Sequence, residues 1–306
     1  MRVKILGSAA GGGFPQWNCA CPNCRRVRDG TLNGSARTQV QVAISADDSS
    51  WYLLSASPDL PRQIEAFSKL HPAARSRETP IAALVLPGAD LDQLLGLILL
   101  RESQPLRVYA TPSIRRIIME NNIIFAMVKN QIVWEELAPG KDCGLTSVNG
   151  EKSGIRCLPF ALTGNYPHYV SPEVAASLPS NEALLGLRLQ TQGGGALVYM
   201  PGAPSIDDAW LESLENCDLL LFDGAFWTDD ELIRIQGSGR SARQMGHVPI
   251  SGADGSLRKL AHVRKPRKIF IHVNNTNPIL DEDSDEYRRV HEAGWEVAHD
   301  GQELTL

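Results

Sequence analysis

Leu84-Val-Leu-Pro-Gly-Ala-Asp-Leu-Asp-Gln-Leu-Leu-Gly-Leu97 is a short apolar run that breaks at Pro-Gly, passes two carboxylates and resumes with helical spacing. This is the pattern of a buried strand feeding a loop and then a helix, and loops after strand ends are where a rigid scaffold presents functional groups. Asp90 and Asp92 therefore admit two readings. They can ligate a hard or borderline cation, or they can cap the first free amides of the following helix and favour its dipole. Outward from this stretch, Val3–Leu6, Gln39–Ser45, Trp51–Ser55 and Ile81–Leu86 read as strands, and Arg62–Leu70, Leu91–Glu102 and Ser113–Asn121 as helices. After about Leu137 the pattern restarts, with strand-like runs Gly154–Pro159, Leu185–Gln190, Ala196–Met200, Leu219–Phe222 and Lys268–His272. Helices are expected there over Asp207–Glu215, Ser256–Val263 and Asp285–Glu292. Strands outnumber helices in both halves, which suits sheets packed on each other with helices outside rather than one alternating parallel βαβ sheet. No Pro-, Gly- or Ser-rich linker separates two domains, so residues 1–306 are read as one domain. The segment Gly237–Gly246 is the expected mobile loop.

With 306 residues, 43% of them hydrophobic, the chain can bury one large core or two modest ones. A formal net charge of −5 argues against a nucleic-acid binder, which carries a basic face. Met1–Ser8 opens straight into a strand-like run with no secretory pattern. The most apolar window, Ile81–Leu100, is interrupted by Pro87, Asp90 and Asp92 and is not read as a membrane span. A cytoplasmic protein is the expectation, and in that compartment Cys143, Cys157 and Cys217 read as buried free thiols.

Cys19, Cys21 and Cys24 form a C-x-C-x-x-C cluster just after a Gly-rich loop. That spacing lets three thiolates converge on one ion, and zinc suits a closed sulfur or sulfur/nitrogen tetrahedron. A disulfide is the competing reading, but such close neighbours form strained rings and one thiol is left over. The site reads as structural and requires a fourth ligand from a distant segment. His272 closes a strand ahead of Val-Asn-Asn-Thr-Asn-Pro278 and is either a metal ligand or a core histidine. His247, in a loop rich in small residues, is either a general acid or base or a solvated side chain. No role is assigned to His71, His262, His291 or His299. Gly7–Gly13 lacks the spacing of a phosphate cradle. Phe226-Trp227 and Tyr166–Tyr169 read as core aromatics before pocket linings.

Gly11-Gly-Gly-Phe-Pro-Gln-Trp-Asn-Cys-x-Cys-x-x-Cys24, Ser57-Pro-Asp-Leu-Pro-Arg-Gln-Ile64, Met245-Gly-His-Val-Pro-Ile-Ser-Gly252 and His272-Val-Asn-Asn-Thr-Asn-Pro-Ile279 together resemble the pyrroloquinoline quinone (PQQ) biosynthesis protein B family. The resemblance spans the chain. It implies an α/β (α+β) metallo-β-lactamase-like αββα sandwich of two mixed β-sheets with outer helices. The superfamily carries its metals on H-x-H-x-D-H after a strand; matching Asp92-Gln-Leu-Leu-Gly96 to the end of that motif puts Gly88, Asp90, Asp92 and Gln93 on the ligand positions. No histidine remains there, and Gln93 departs even from the family pattern. Pro201-Gly-Ala-Pro204 stands where a metal-bridging carboxylate is expected. A dinuclear zinc hydrolase is thereby disfavoured, as is a phosphodiesterase.

What the resemblance leaves is a degenerate site of Asp90, Asp92 and His272, with Gln93 a weak ligand, open enough for Fe2+ or another divalent metal. Relatives complete the cysteine zinc with a histidine where this chain has Asn275, so His272 is claimed by both sites. The resemblance implies synthesis of PQQ from a peptide precursor, alongside other PQQ-biosynthesis proteins. One version is metal-dependent hydroxylation of a tyrosine-derived ring, with Asp90 and Asp92 on the metal and His247 moving protons. The alternative is a non-catalytic carrier of PQQ or its precursor toward the periplasm. A homodimer built on the cysteine loop is a further expectation.

Overall fold

The computed structural model describes residues 1–102 and 104–306. Fourteen strands form among them: β1 (Arg2–Gly7), β2 (Gln41–Ser45), β3 (Trp51–Leu54), β4 (Ile81–Val85), β5 (Leu106–Ala110), β6 (Ile132–Glu136), β7 (Cys143–Thr146), β8 (Lys152–Ala161), β9 (Leu185–Thr191), β10 (Ala196–Met200), β11 (Leu219–Asp223), β12 (Arg267–Ile271), β13 (Trp295–Val297) and β14 (Glu303–Thr305). They make two seven-stranded sheets, in the orders β14-β1-β2-β3-β4-β5-β6 and β13-β12-β11-β10-β9-β8-β7. Both are mixed. β14, β1, β2 and β3 pair antiparallel, whereas β3 through β6 run parallel. In the second, β7, β8 and β9 are antiparallel and β10 through β13 parallel. The expectation of sheets with helices is met, but parallel crossovers are more prominent in it than the strand-rich pattern suggests.

The chain traces two compact units, Met1–Gly7 with Gln41–Ala196 and Gly301–Leu306, and Ser8–Val40 with Leu197–Asp300. Each is built from segments distant in sequence. In the first, β3 and β4 are buried at every position, as expected of strands covered on both faces. Their side chains join a core in which Trp51 meets Phe67 edge-on with ring centroids 5.0 Å apart. The Ser57–Ile64 motif is held by buried Gln41, whose Nε2 donates to Leu54 O and Ser55 O while its Oε1 accepts Ser57 N.

The expected helix Leu91–Glu102 is present as two short pieces, Leu91–Leu94 and Gly96–Leu99. Gly96 explains the break, because its amide turns outward from the helix to donate to Ala56 O at 2.8 Å. A Cβ there would lie 2.5 Å from Ser57 O, so only glycine permits this approach. Arg62–Leu70 is likewise divided, into Leu60–Glu65 and a 3₁₀ turn at Ser68–Leu70. The segment expected to be a mobile loop, Gly237–Gly246, includes a 3₁₀ turn at Arg243–Met245. Among the described residues no helix is long and apolar enough to cross a membrane.

Candidate metal and acid–base site

The second unit's candidate chemistry lies at strand ends, at helix starts and on the loops between them. Cys21 is the N-cap of helix Pro22–Arg28, a position where proline at the first helical residue costs no hydrogen bond. Its Sγ accepts Cys24 N at 3.5 Å, and Cys19 Sγ accepts Cys21 N at 3.4 Å. Arg28 fixes the preceding loop by donating to Cys19 O at 2.6 Å and Gln16 O at 2.5 Å. The three sulfurs consequently converge within 4.8 Å of one another. Burial raises the Cys19 thiol, but hydrogen bonds from Cys21, Cys24 and Asn275 outweigh it and leave Cys19 below its ordinary value. Cys21 is pushed up to about 12, chiefly by burial, so it stays a neutral thiol until an ion stabilises its thiolate.

The structure does not bring His272 to these cysteines. Asn275 faces them instead, with Nδ2 at 3.1, 3.6 and 3.3 Å from Cys19, Cys21 and Cys24 Sγ. The reason is local. His272 follows directly on β12 with φ +61° and stacks on His247, whereas Asn275 is pinned through its carbonyl by Asn23 Nδ2 at 3.3 Å. Asn23 Nδ2 also donates to Asn277 O at 2.9 Å, tying the cysteine helix to the loop after β12.

His272 joins a second group, Asp223, His247 and His272, whose potential ligand atoms also lie within 4.8 Å. The imidazoles of His247 and His272 stack at 5.2 Å with 25° between planes. A histidine in the left-handed region is uncommon, and such strain persists where surrounding contacts hold it at a working position. Asp223 ends β11 and is fully buried. Its Oδ2 accepts Ala203 N at 2.9 Å and meets His247 Nδ1 at 2.8 Å, while Oδ1 accepts Ala225 N at 3.0 Å. Pro201-Gly-Ala-Pro204, which lacks a bridging carboxylate, thus contributes a backbone donor to Asp223. The sequence reading missed Asp223; the available signal was a carboxylate at the end of a wholly apolar strand, which must find partners if buried.

Asp90 and Asp92 belong to neither convergent group. Asp90 is exposed at the N-cap of helix Leu91–Leu94, where its side chain makes no capping hydrogen bond, and Asp92 lies in the first turn. Gln93 is buried, and its Oε1 has no hydrogen-bond partner. Tyr169 is kept above its usual range by burial and then by the charge of Asp90, and its hydroxyl donates to Ala89 O. Tyr166 donates to Pro179 O at 2.6 Å, and Phe226 packs with Ala225 and Ala242. Phe226 also meets the His247 ring edge-on, with centroids 5.9 Å apart.

Glu231, also unanticipated, is a buried acid beside the His272 loop. Burial pushes it up to about 7 against hydrogen bonds from Thr276 Oγ1 at 2.5 Å and Trp227 N at 2.6 Å. The native state therefore holds this proton more tightly than the unfolded chain. Its contribution to stability is complete below about pH 4.5 and is lost as pH rises through about 7, a swing of roughly 3 kcal/mol. Glu231→Gln removes that dependence. Urea unfolding at pH 5 and pH 8 should show the variant gaining on the parent at the higher pH; an unchanged difference between the two would disprove it.

Residues 50–273 match the β-lactamase superfamily domain model. The chain is 42% identical to coenzyme PQQ synthesis protein B of Pseudomonas entomophila and 39% identical to that of a Methylobacterium species, each over 100% of both chains. The crystal structure of zinc-bound PqqB from Methylobacterium extorquens superposes with a TM-score of 0.91 at 37% identity, again covering both chains completely. A diphosphatase of the PhnP family shares the fold at 19% identity and a TM-score of 0.70. With its two mixed seven-stranded sheets, its cysteine cluster and these full-length likenesses, the chain belongs to the coenzyme PQQ synthesis protein B family of the β-lactamase superfamily.

Proposed function

We propose that this protein acts in the making of coenzyme PQQ as a metal-dependent hydroxylase of a tyrosine-derived precursor. The observation that carries the reading is the convergence of Asp223, His247 and His272. Imidazole nitrogens suit iron and zinc alike, and the group sets one such donor, His272, beside the hydrogen-bonded pair His247–Asp223, which can move a proton. A ferrous ion held there would supply dioxygen binding and activation. His272 is the metal donor in this scheme. His247 takes or returns the proton at Nε2, because Asp223 engages its Nδ1 and so fixes the tautomer. The buried, backbone-bonded carboxylate keeps that ring oriented without moving during the reaction. Asp90, Asp92 and Gln93 are proposed as further donors for a divalent ion at the start of helix Leu91–Leu94.

The cysteine cluster is proposed to hold structural zinc, a set of three sulfurs that fits this ion, with the Asn275 amide on the remaining side. With that amide flipped, its oxygen would serve as a fourth donor to zinc beside the three cysteines. The test is oxygen uptake by the purified chain loaded with iron(II), supplied with a reductant and a tyrosine-containing precursor peptide. Uptake coupled to a product heavier by one oxygen atom is expected. Tight PQQ binding with no uptake under any metal would replace the enzyme with a carrier.

A further inference from the structure

Cys143 and Cys157 are directly opposite each other in the antiparallel ladder of β7 and β8. Opposed residues in such a ladder have Cα atoms about 4.5–5.5 Å apart and point to the same face, inside the about 4.4–6.8 Å that a disulfide spans. Both are thiols here. Cys157 is fully buried, while Cys143 is half-buried on the outermost strand of its sheet. Neither belongs to the two metal-capable groups. We propose that this pair is a reversible oxidation site, closed to a cross-strand disulfide by a peroxide.

The two thiols have unequal roles. A hydrogen bond from Cys157 lowers Cys143 despite its burial and the nearby Asp142 and Glu135 carboxylates, and Cys157 is raised by the same interaction and by burial. Cys143 is thus the thiolate that oxidant meets first. Its sulfur attacks one peroxide oxygen, the O–O bond breaks, and the departing hydroxide takes a proton to leave as water. Cys157 then attacks the Cys143 sulfenic sulfur, the S–O bond breaks, and the second water carries away the Cys157 proton. Two thiols lose two electrons, and one peroxide becomes two waters. The bond ties the edge strand β7 to β8 on the N-terminal side of the β7 bulge between Gly144 and Thr146.

Trypsin sites after Lys141, Lys152, Arg156 and Arg188 place the two cysteines on separate peptides. The zinc-loaded full chain is treated with hydrogen peroxide, alkylated under denaturing conditions and digested. The expected product is a linked pair, residues 142–152 with 157–188, two hydrogens lighter than its parts and released by dithiothreitol. It should form at least about tenfold faster than any oxidation of Cys217, a fully buried thiol that donates to Leu214 O at 3.1 Å. In Cys157→Ser, Cys143 should stop at a sulfenic acid that dimedone traps. Separate recovery of the two peptides with both thiols alkylated, or with Cys143 overoxidised in the parent, would overturn the proposal. Absence of a dimedone adduct in Cys157→Ser would overturn the assigned order of attack.

Discussion

Cys21→Ser is expected to lose one zinc per chain and to lower Tm by roughly 5 °C, from a loss on the order of 3 kcal/mol. The substitution separates metal from capping. Cys21 caps helix Pro22–Arg28 by accepting Cys24 N, and serine is among the best residues for that task. Capping is therefore retained or improved, so a fall in stability reports the ion. The estimate is taken well below the free energy of isolated zinc peptides because the loop keeps other anchors. Arg28 still holds Cys19 O and Gln16 O, and Asn23 still holds the loop at Asn275 and Asn277. Metal analysis after extensive dialysis and a thermal melt in the presence of a reductant are the measurements. Undiminished zinc in the variant would remove the cysteines from the metal account. Equal Tm values would make the ion a passenger.

The parts legible in the sequence are those where composition and period agree. Ile81–Val85 and Leu219–Phe222 are continuous apolar runs bounded by turn residues, and each is a central strand. The cysteine cluster is legible for a different reason, since no packing argument asks for three thiols within six residues. Edges were hidden. β6 carries Glu135 and Glu136, β7 carries a glycine, and β13 and β14 have three residues each, so none shows an alternation long enough to read. Helix Leu91–Glu102 was overextended because periodicity cannot reveal the backbone approach at Gly96.

The site divides along the same physical line. His247 and His272 stand out as rare side chains in motifs, yet their contact depends on loop paths that sequence spacing does not record. Asp223 looks like any turn residue after a strand until its burial is known. Which of His272 and Asn275 faces the cysteines follows the path of the loop after β12, where His272 takes φ +61°, a conformation no histidine signals in advance.

Asp223→Asn is expected to reduce turnover by about 10²–10⁴-fold while leaving the fold intact, the range by which positioned proton transfer accelerates reactions. The argument is a count of hydrogens. Asp223 offers Oδ1 to Ala225 N–H and Oδ2 to both Ala203 N–H and His247 Nδ1. An asparagine has one oxygen for these two sides. If its oxygen faces His247, the amide hydrogens confront the Ala225 N–H; if the amide hydrogens face His247, they confront the Ala203 N–H and require Nδ1 to accept. The second arrangement forces the proton onto Nε2, the nitrogen assigned to proton transfer, and the wrong tautomer results. Because the side chain is buried, water cannot repair either mismatch. His247→Gln should cost a similar factor, and the double variant should cost little more than either alone, since the two act as one unit. Metal content separates the roles of the carboxylate: iron retained in Asp223→Asn marks an orienting group, and iron lost marks a ligand. Product formation at the parental rate in both single variants would dissolve the acid–base assignment, and with it the strongest reason to read this fold as an enzyme rather than a carrier.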